Sequence, residues 1–320
     1  MEKNGVPESL IEMVALYSDP KVAHDAMVRF RWPNGVCCPK CGSITVWFTE
    51  ARLRWQCKDC KAQFTAKVGT IFEDSALPLS KWLPAVWLIV NCKNGISSCE
   101  LARALKVTQK TAWHMLHRIR EAMNSGTFDK MDGSIEVDET WIGGKEKNKH
   151  DNKKLKLWHN SAGKSTVMGM LERSTPNKKS TVRAMMVPDV KRVTLHAEIV
   201  KNIKPMAEVY TDAWRGYIGL SEQYIHNVID HAVAYAVKNL TTNGIENFWS
   251  LLKRTLRGTY VAVEPFHLER YLTEQIYRFD HRGMTDAERF VALMGSVNGK
   301  RLMYEKLVTS YKAHYETFGV

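Results

Sequence analysis

The amino-acid sequence predicts a protein of the α/β (α+β) class, in which a small cysteine-rich segment and a helical region precede a mixed domain of strands and helices. Three observations support this prediction. Five of the seven cysteines lie in one short N-terminal segment. Apolar residues recur at helical spacing between Ser80 and Asn124. After Gly133 the pattern changes to short runs of β-branched and apolar residues, which are typical of strands.

The composition limits the classes of protein that need to be considered. The chain has 320 residues, of which 44% are hydrophobic and 25% charged, and this balance excludes wholesale disorder and a fibrous or collagen-like chain. The longest apolar run, Leu83 to Val90, is much shorter than the roughly 20 residues of a membrane span. The first residues lack the pattern of a secretory signal. We therefore expect a soluble, cytoplasmic protein without a membrane partner.

The chain is strongly basic. It has 46 lysines and arginines against 34 acidic residues, a formal net charge of +12 and a pI near 9.3. A molecule of this charge attracts polyanions at neutral pH, which makes nucleic acid the leading partner. A basic surface that serves only solubility is the alternative.

The cysteines form two CxxC pairs with fifteen residues between them. Each pair places two thiolates on one tight turn, and two such turns supply a closed tetrahedral site for a structural Zn²⁺ ion. A ribbon this small folds only with its metal. A redox pair is the alternative, and Cys37 could replace the first ligand if the register slipped. The predicted zinc ligands are Cys38, Cys41, Cys57 and Cys60.

The helical region after the cysteines resembles a helix-turn-helix. Its first helix starts near Ser97, a turn lies around Lys106, and Thr108 can cap a second helix with a basic side. The candidate DNA contacts of that second helix are Gln109, Lys110 and either Trp113 or His114. Two amphipathic helices that merely pack together would give the same pattern.

The elements after Gly133 alternate in a specific order. Three strands are followed by a helix, a further strand and two more helices, which is the order of the RNase H-like fold, although periodicity alone supports only a mixed α/β domain. The predicted elements are strands at Ser134–Val137, Ser165–Glu172, Thr181–Val187 and Glu208–Thr211, and helices at Leu195–Ile203, Asn243–Arg257 and His267–His281.

Three acidic residues stand out within these elements. Asp138 and Asp212 end predicted strands, and Glu246 lies early in a predicted helix. Carboxylates that meet in a fold are costly to bury unless a cation neutralises them, and together they can hold Mg²⁺ or Mn²⁺. Two such ions about 4 Å apart support in-line attack on a phosphodiester. Any one of these residues alone is more often a solvated surface residue.

Three long blocks carry a resemblance to a known family. They resemble DDE-type bacterial insertion-sequence transposases with an N-terminal zinc ribbon, which are related to the Merlin transposases. The resemblance runs from the first CxxC pair to about Arg282. It implies an RNase H-like core that cuts transposon ends and joins their 3′-hydroxyls to target DNA. The blocks are Val137-Asp138-Glu139-Thr140-Trp141-Ile142-Gly143-Gly144-Lys145, Tyr210-Thr211-Asp212-Ala213-Trp214-Arg215-Gly216-Tyr217 and Asn243-Gly244-Ile245-Glu246-Asn247-Phe248-Trp249-Ser250-Leu251-Leu252-Lys253-Arg254.

The resemblance implies roles for individual residues. Asp138, Asp212 and Glu246 match the three catalytic, metal-binding acids, and Asn243, one turn before Glu246, is the alternative third ligand. Lys253 follows Glu246 by seven residues, on the same helical face, where it could hold a DNA phosphate. Arg254 and Arg257 extend this basic face.

Further candidates lie beside these blocks. Between Lys145 and Lys164 there are seven lysines and two acids, so we expect a phosphate-binding edge that includes Lys145, Lys147 and Lys149; a solvated loop is the alternative. His226 and His231 could touch the scissile phosphate, although an isolated histidine is more often structural. Trp141, Trp214 and Trp249 are expected in the core rather than in base stacking.

These observations lead to one functional hypothesis with two alternatives. We expect a transposase that acts on double-stranded DNA, both transposon ends and target, as at least a dimer in the synaptic complex and close to the nucleoid. A catalytically inactive or domesticated DNA-binding protein and an RNase H-like nuclease without strand transfer are the alternatives. The expected segments are an N-terminal helical part (1–34), a zinc ribbon (35–72), a helix-turn-helix-like region (73–130), a catalytic domain (131–300) and a C-terminal helical tail (301–320).

Overall fold

A computed structural model describes residues 6–124, 126, 129–144, 163–229 and 241–308. The chain forms two compact units. The first contains the described residues of Met1–Ser125 and Met284–Ser310, and the second contains those of Gly126–Gly283. The segment from Met284 therefore groups with the N-terminal unit, whereas the sequence placed the end of the catalytic domain at residue 300.

The first unit begins with two short capped helices. Helix α1 spans Leu10–Tyr17 and is capped by Ser9, whose side chain accepts a hydrogen bond from the backbone of the first turn. Helix α2 spans Pro20–Arg31, with Asp19 as its cap and the proline at the first helical position.

An antiparallel ribbon of three strands follows, in the order β1-β2-β3. The strands are β1 (Val46–Thr49), β2 (Arg54–Cys57) and β3 (Gln63–Phe64). Trp55 and Phe64 lie opposite each other in the ladder and are buried against rings of α2 and its C-terminal end. The ribbon is thus attached to α2 by aromatic packing.

Three helices complete this part of the chain: α3 (Leu79–Asn91), α4 (Ser98–Leu105) and α5 (Gln109–Met123). Ser97 and Glu100 form a reciprocal capping box at the start of α4. Lys106 ends α4 with φ 49°, and Thr108 caps α5. The turn and the start of the second helix therefore lie where the sequence predicted them.

The second unit is built on a mixed sheet of five strands in the order β6-β5-β4-β7-β8. Strands β4, β5 and β6 form antiparallel pairs, whereas β4, β7 and β8 run parallel. Helix α6 (Arg192–Asn202) connects the two parts. The strands are β4 (Ser134–Ile142), β5 (Ser165–Glu172), β6 (Thr181–Val187), β7 (Glu208–Asp212) and β8 (Ile225–Ile229). This mixed α+β architecture confirms the predicted fold class.

Each face of the sheet is covered by helices. On one face, Ile135 and Val137 of β4 pack with Leu195 and Ile199 of α6. On the other, Val167 and Leu171 of β5 pack against α7 (Asn243–Thr255) and α8 (Leu268–Asp280). A π-helical turn, Leu256–Tyr260, extends α7. Alternation along β4 therefore directs even-numbered side chains toward α7 and odd-numbered ones toward α6.

The last described helix, α9 (Asp286–Gly295), belongs to the first unit and has its own capping box of Thr285 and Glu288. Within the described residues, no helix is both long and apolar enough to cross a bilayer.

Candidate functional site

The four predicted zinc ligands come together at the ribbon. Their Sγ atoms all lie within 4.8 Å of one another. The Sγ atoms of Cys38 and Cys60 are 3.6 Å apart, as are those of Cys41 and Cys57. The backbone N–H of Cys60 lowers the pKa of Cys57, whereas the neighbouring thiols raise the pKa of Cys41. Four sulfurs at this spacing support a structural Zn²⁺ ion.

Asp138 lies on the α7 side of the sheet, in the middle of β4. The sequence placed it at the end of a strand, but β4 continues through Thr140 and Trp141 to Ile142. Its Oδ2 accepts a hydrogen bond of 2.9 Å from the indole Nε1 of Trp249. Burial raises the pKa of Asp138 to about 6, and the negative charges of Asp212 and Glu246 act in the same direction. Asp138 therefore lies within electrostatic reach of both other acids.

Asp212 and Glu246 approach this position from the neighbouring elements. Asp212 is the last residue of β7, and its Oδ1 accepts a hydrogen bond of 3.0 Å from the backbone N–H of Trp214. Glu246 is exposed in the first turn of α7, where its Oε1 accepts a hydrogen bond of 2.9 Å from the Thr242 hydroxyl. Both carboxylates are thus held by residues close to them in the chain.

Two of the three acids lie at an open cavity of about 670 Å³. Asp138 and Glu246 line this cavity together with Lys253, Arg254 and Arg257, whereas Asp212 is not one of its lining residues. Among groups of three or more His, Cys, Asp or Glu side chains in the described ranges, the four cysteines form a cluster that could hold an ion, and the three carboxylates do not form such a cluster.

The comparison with family models decides the identity of the second unit. Residues 130–280 match the model of the ISXO2-like transposase domain, and residues 19–63 match that of the transposase zinc-ribbon domain. The chain belongs to the ISXO2-like transposases. Both matches agree with the resemblance to DDE-type insertion-sequence transposases with an N-terminal zinc ribbon. The transposase is also similar to two relatives, and each match covers most of the relative's length.

The first relative is an uncharacterized protein in transposable element ISH50 of Halobacterium salinarum. It is 26% identical over 264 residues, which cover 78% of this chain and 87% of the relative. The second is an uncharacterized transposase-like protein of Haemophilus influenzae, which is 36% identical over 104 residues. That match covers 32% of the transposase and 84% of the relative.

Of the basic residues that were predicted to bind DNA, one group lines the cavity. Lys253, Arg254 and Arg257 form one wall of the cavity, and burial lowers the pKa of Lys253. Asn243, the alternative third ligand, is exposed at the first position of α7 and does not line the cavity. The candidates Lys145, Lys147, Lys149 and His231 lie outside the described residues.

The second helix of the helix-turn-helix-like pair contacts the C-terminal segment of its own unit. The Lys110 Nζ lies 4.8 Å from the ring centre of Tyr304, and the His114 ring meets Tyr304 edge-on at 5.5 Å. Burial lowers the pKa of His114. Gln109 precedes both and is exposed, so the start of α5 is the most accessible part of this helix.

Sequence reasoning missed a further acid, which is next to Asp138 in the chain and also lines the cavity. Glu139 follows Asp138 directly, points to the opposite face of β4 and accepts a hydrogen bond from the hydroxyl of Tyr217. Burial raises the pKa of Glu139 to about 7. Strand alternation could have indicated that Glu139 is buried. Val137 and Glu139 are two residues apart and therefore share the face of β4 that helix α6 covers.

The structure places two of the three tryptophans differently from the sequence prediction, and it shows what one of the candidate histidines contacts. Trp141 and Trp214 are 43% and 49% exposed, so they are not core residues, whereas Trp249 is buried. The Nε2 of His226 lies 2.9 Å from the hydroxyl of Thr211, the residue before Asp212. His226 therefore supports the strand that carries Asp212, and burial lowers its pKa.

Proposed function

We propose that this transposase binds transposon ends, cleaves them by metal-dependent phosphodiester chemistry and joins the 3′-hydroxyl ends to target DNA. The observation that carries the proposal is Asp138, a partly buried carboxylate whose pKa rises to about 6 beside two further acids. Like charges held together in a fold favour the binding of a cation. The basic wall of the same cavity gives a negatively charged strand a place to lie.

The donor set fits Mg²⁺ or Mn²⁺. Asp138, Asp212 and Glu246 offer only carboxylate oxygens, which are the ligands that hard divalent cations prefer. Asn243 is the alternative third ligand. When two such ions are bound, they activate a water molecule or a 3′-hydroxyl and stabilise the leaving oxygen.

The residues of the chain position the DNA strand in this proposal. Lys253, Arg254 and Arg257 bind phosphates next to the scissile bond, and Lys145, Lys147 and Lys149 extend the contact along the strand. The hydrogen bond from Trp249 fixes the orientation of the Asp138 carboxylate. The chain therefore supplies orientation and electrostatic complementarity, the two main contributions that proteins make to such reactions.

The N-terminal unit provides recognition of the transposon ends. Its zinc ribbon and the accessible start of α5, with Lys110 and His114 behind it, contact double-stranded DNA. Because two ends must be held together before joining, at least two copies of the protein act in the synaptic complex. The protein works in the cytoplasm, at the nucleoid.

The experiment is a cleavage assay with labelled DNA that carries the ends of the element. The wild-type protein should cleave in Mg²⁺ or Mn²⁺, whereas Asp138→Asn, Asp212→Asn and Glu246→Gln should lose about a thousandfold or more of the rate and retain end binding. Asp132→Asn, which changes an exposed acid of the same unit, is the matched control.

A second assay uses precleaved ends and a target plasmid. Joining of the 3′-hydroxyls is the expected result, and cleavage without joining would identify a nuclease instead. Full cleavage by the Asp212→Asn protein would contradict the proposed mechanism, whatever the second assay gives.

A further inference from the structure

Strand β4 holds helix α7 through two of its side chains. Glu136 and Asp138 are two residues apart and share the face of β4 that α7 covers. The Oε2 of Glu136 accepts a hydrogen bond of 2.9 Å from the backbone N–H of Ile245. The Oδ2 of Asp138 accepts one of 2.9 Å from the Nε1 of Trp249. We name this pair of contacts the β4–α7 clamp.

The two contacts are one helical turn apart on α7, and Glu246 lies between them. Ile245 directly precedes Glu246, and Trp249 follows it by three residues. The clamp therefore fixes both the rotation of α7 and its position along β4 at the turn that carries this acid. The strand that carries Asp138 and the helix that carries Glu246 are joined at that turn.

The contact of Glu136 is built as a buried network. Glu136 is only 3% exposed, and its Oε1 accepts a hydrogen bond of 2.8 Å from the Nε of Arg173. The guanidinium of Arg173 lies 3.9 Å from the ring centre of Tyr210 and donates to the carbonyl of Thr241, two residues before α7. Buried charges are retained when they are paired in this way.

Glu136 also replaces the usual cap of α7. Thr242 stands at the N-cap position, but its side chain makes no capping hydrogen bond to the backbone of the first turn. An N-terminal N–H of α7 is satisfied by the carboxylate from β4 instead, with the favourable charge for that end of a helix. The cap of the helix is thus part of the strand that carries Asp138.

Two glycines provide the space for the clamp. A Cβ on Gly244 would lie 2.8 Å from the Oε2 of Glu136. A Cβ on Gly169 would lie 2.5 Å from the ring of Trp249. Neither glycine has a positive φ, so space alone accounts for the absence of a side chain.

We propose that Glu136 and Trp249 are positioning residues, which fix Glu246 relative to Asp138 and thereby set the affinity of the transposase for divalent cations. The proposal rests on the metal-binding role proposed above for the two acids. A purely structural clamp would stabilise the fold and leave that affinity unchanged. The two roles can therefore be separated by measuring cation binding on folded protein.

The test measures Mn²⁺ binding by electron paramagnetic resonance, on the full-length, zinc-loaded protein without DNA. Glu136→Gln keeps the size of the side chain but removes the charge that faces Arg173. Trp249→Phe removes the N–H donor to Asp138. We expect both variants to bind Mn²⁺ at least about tenfold more weakly than the wild type. Thermal melting establishes the temperature range in which each variant is folded.

Two further variants separate packing from positioning. Gly169→Ala combined with Trp249→Phe puts a methyl group where the outer atoms of the indole were, which should recover melting temperature without recovering Mn²⁺ affinity. Glu208→Gln changes a carboxylate on β7 that bonds Ser134 and Tyr210, and it should bind Mn²⁺ within about twofold of the wild type.

The outcomes distinguish this proposal from the function on which it rests. If Asp138→Asn loses Mn²⁺ binding while Glu136→Gln and Trp249→Phe bind as the wild type does, the clamp is structural only and the metal site stands. If Asp138→Asn itself binds Mn²⁺ like the wild type, the metal-binding role fails and the positioning role fails with it. Recovery of Mn²⁺ affinity in the double variant would also overturn the positioning role of Trp249.

Discussion

Gly169 lies directly opposite Asp138 in the antiparallel ladder between β4 and β5. The space above this glycine is filled by the indole of Trp249, the ring that donates a hydrogen bond to Asp138. Because residue 169 is a glycine, the bulky side chain of Trp249 can reach Asp138 in the middle of the sheet. The packing of the sheet and the orientation of Asp138 depend on the same position.

Gly169→Ala should disturb both the packing of the sheet and the orientation of Asp138. The added Cβ would lie 2.5 Å from the indole and 2.9 Å from Ile245, so the ring of Trp249 must move and its hydrogen bond to Asp138 is lost. We expect a stability loss of about 1–3 kcal/mol and a reduced rate of DNA cleavage below the melting temperature. Gly258→Ala is the matched control, because nothing lies within 4 Å of a Cβ there. Equal stability and equal cleavage in both variants would refute the packing argument.

The zinc ribbon should depend on its metal for folding. We expect about one zinc ion per chain by plasma mass spectrometry, and its loss in Cys57→Ser, because removal of one ligand opens the tetrahedral site. The variant should melt at a lower temperature and bind transposon ends more weakly. Cys99→Ser changes an exposed cysteine of α4 and should keep the ion. Full zinc content in Cys57→Ser would show that the four sulfurs do not form the site.

Much of the fold could be predicted from local patterns. The strands β5 and β6 and the turn between α4 and α5 lie where the sequence predicted them, because β-branched runs and a helix cap act over a few residues. Strand β8 was not predicted, since Ile225–Ile229 is short and interrupted by polar residues at the edge of the sheet. Its place in the sheet depends on pairing with β7, which a local pattern does not contain.

The candidate site was predictable only in part. Asp138, Asp212 and Glu246 were predicted because they lie in the three sequence blocks that resemble the transposase family. Glu136 and Glu139, in contrast, resemble ordinary polar residues of a strand. Glu136 is buried because Arg173, the residue that follows β5, neutralises it. Glu139 is held by Tyr217, from beyond β7. Partners this far apart in the chain are brought together by the order of the strands. That order depends on the packing of the whole sheet, so a local sequence pattern does not reveal the partners.

The stability of the second unit should contain a pH-dependent contribution from Asp280. Burial raises the pKa of this carboxyl to about 7, although Arg282, Lys178 and Arg183 act in the opposite direction. Because the pKa is higher in the folded state than in the unfolded state, folding favours the neutral acid. The free energy of unfolding should therefore decrease as the pH rises from about 4 to about 7.

Asp280→Asn removes this penalty and keeps the acceptor for the backbone N–H of Val182. Relative to the wild type, the variant should gain on the order of 2 kcal/mol between about pH 5 and about pH 8. Denaturation of both proteins at the two pH values gives this difference, and effects of pH on the zinc ribbon cancel in the comparison. A variant-minus-wild-type difference that does not change with pH would contradict the burial of a neutral acid.

The basic wall of the cavity should determine the salt dependence of DNA binding. Lys253→Gln, Arg254→Gln and Arg257→Gln each remove one cation from the wall. The slope of log K against log salt concentration should decrease by about 0.9 for each lost phosphate contact. Lys201→Gln, on α6 and outside the cavity, is the control. Fluorescence anisotropy over a salt series measures the slopes, and an unchanged slope in all three wall variants would exclude the wall as the binding surface.

Anomalous diffraction at the manganese edge, from crystals of the transposase with transposon-end DNA and Mn²⁺, tests the proposed metal site most directly. Manganese peaks are expected within about 2.3 Å of carboxylate oxygens of Asp138, Asp212 and Glu246, and next to the scissile phosphate. Manganese bound elsewhere on the DNA-bound protein, with the three acids apart and without a shared ion, would contradict the proposed site.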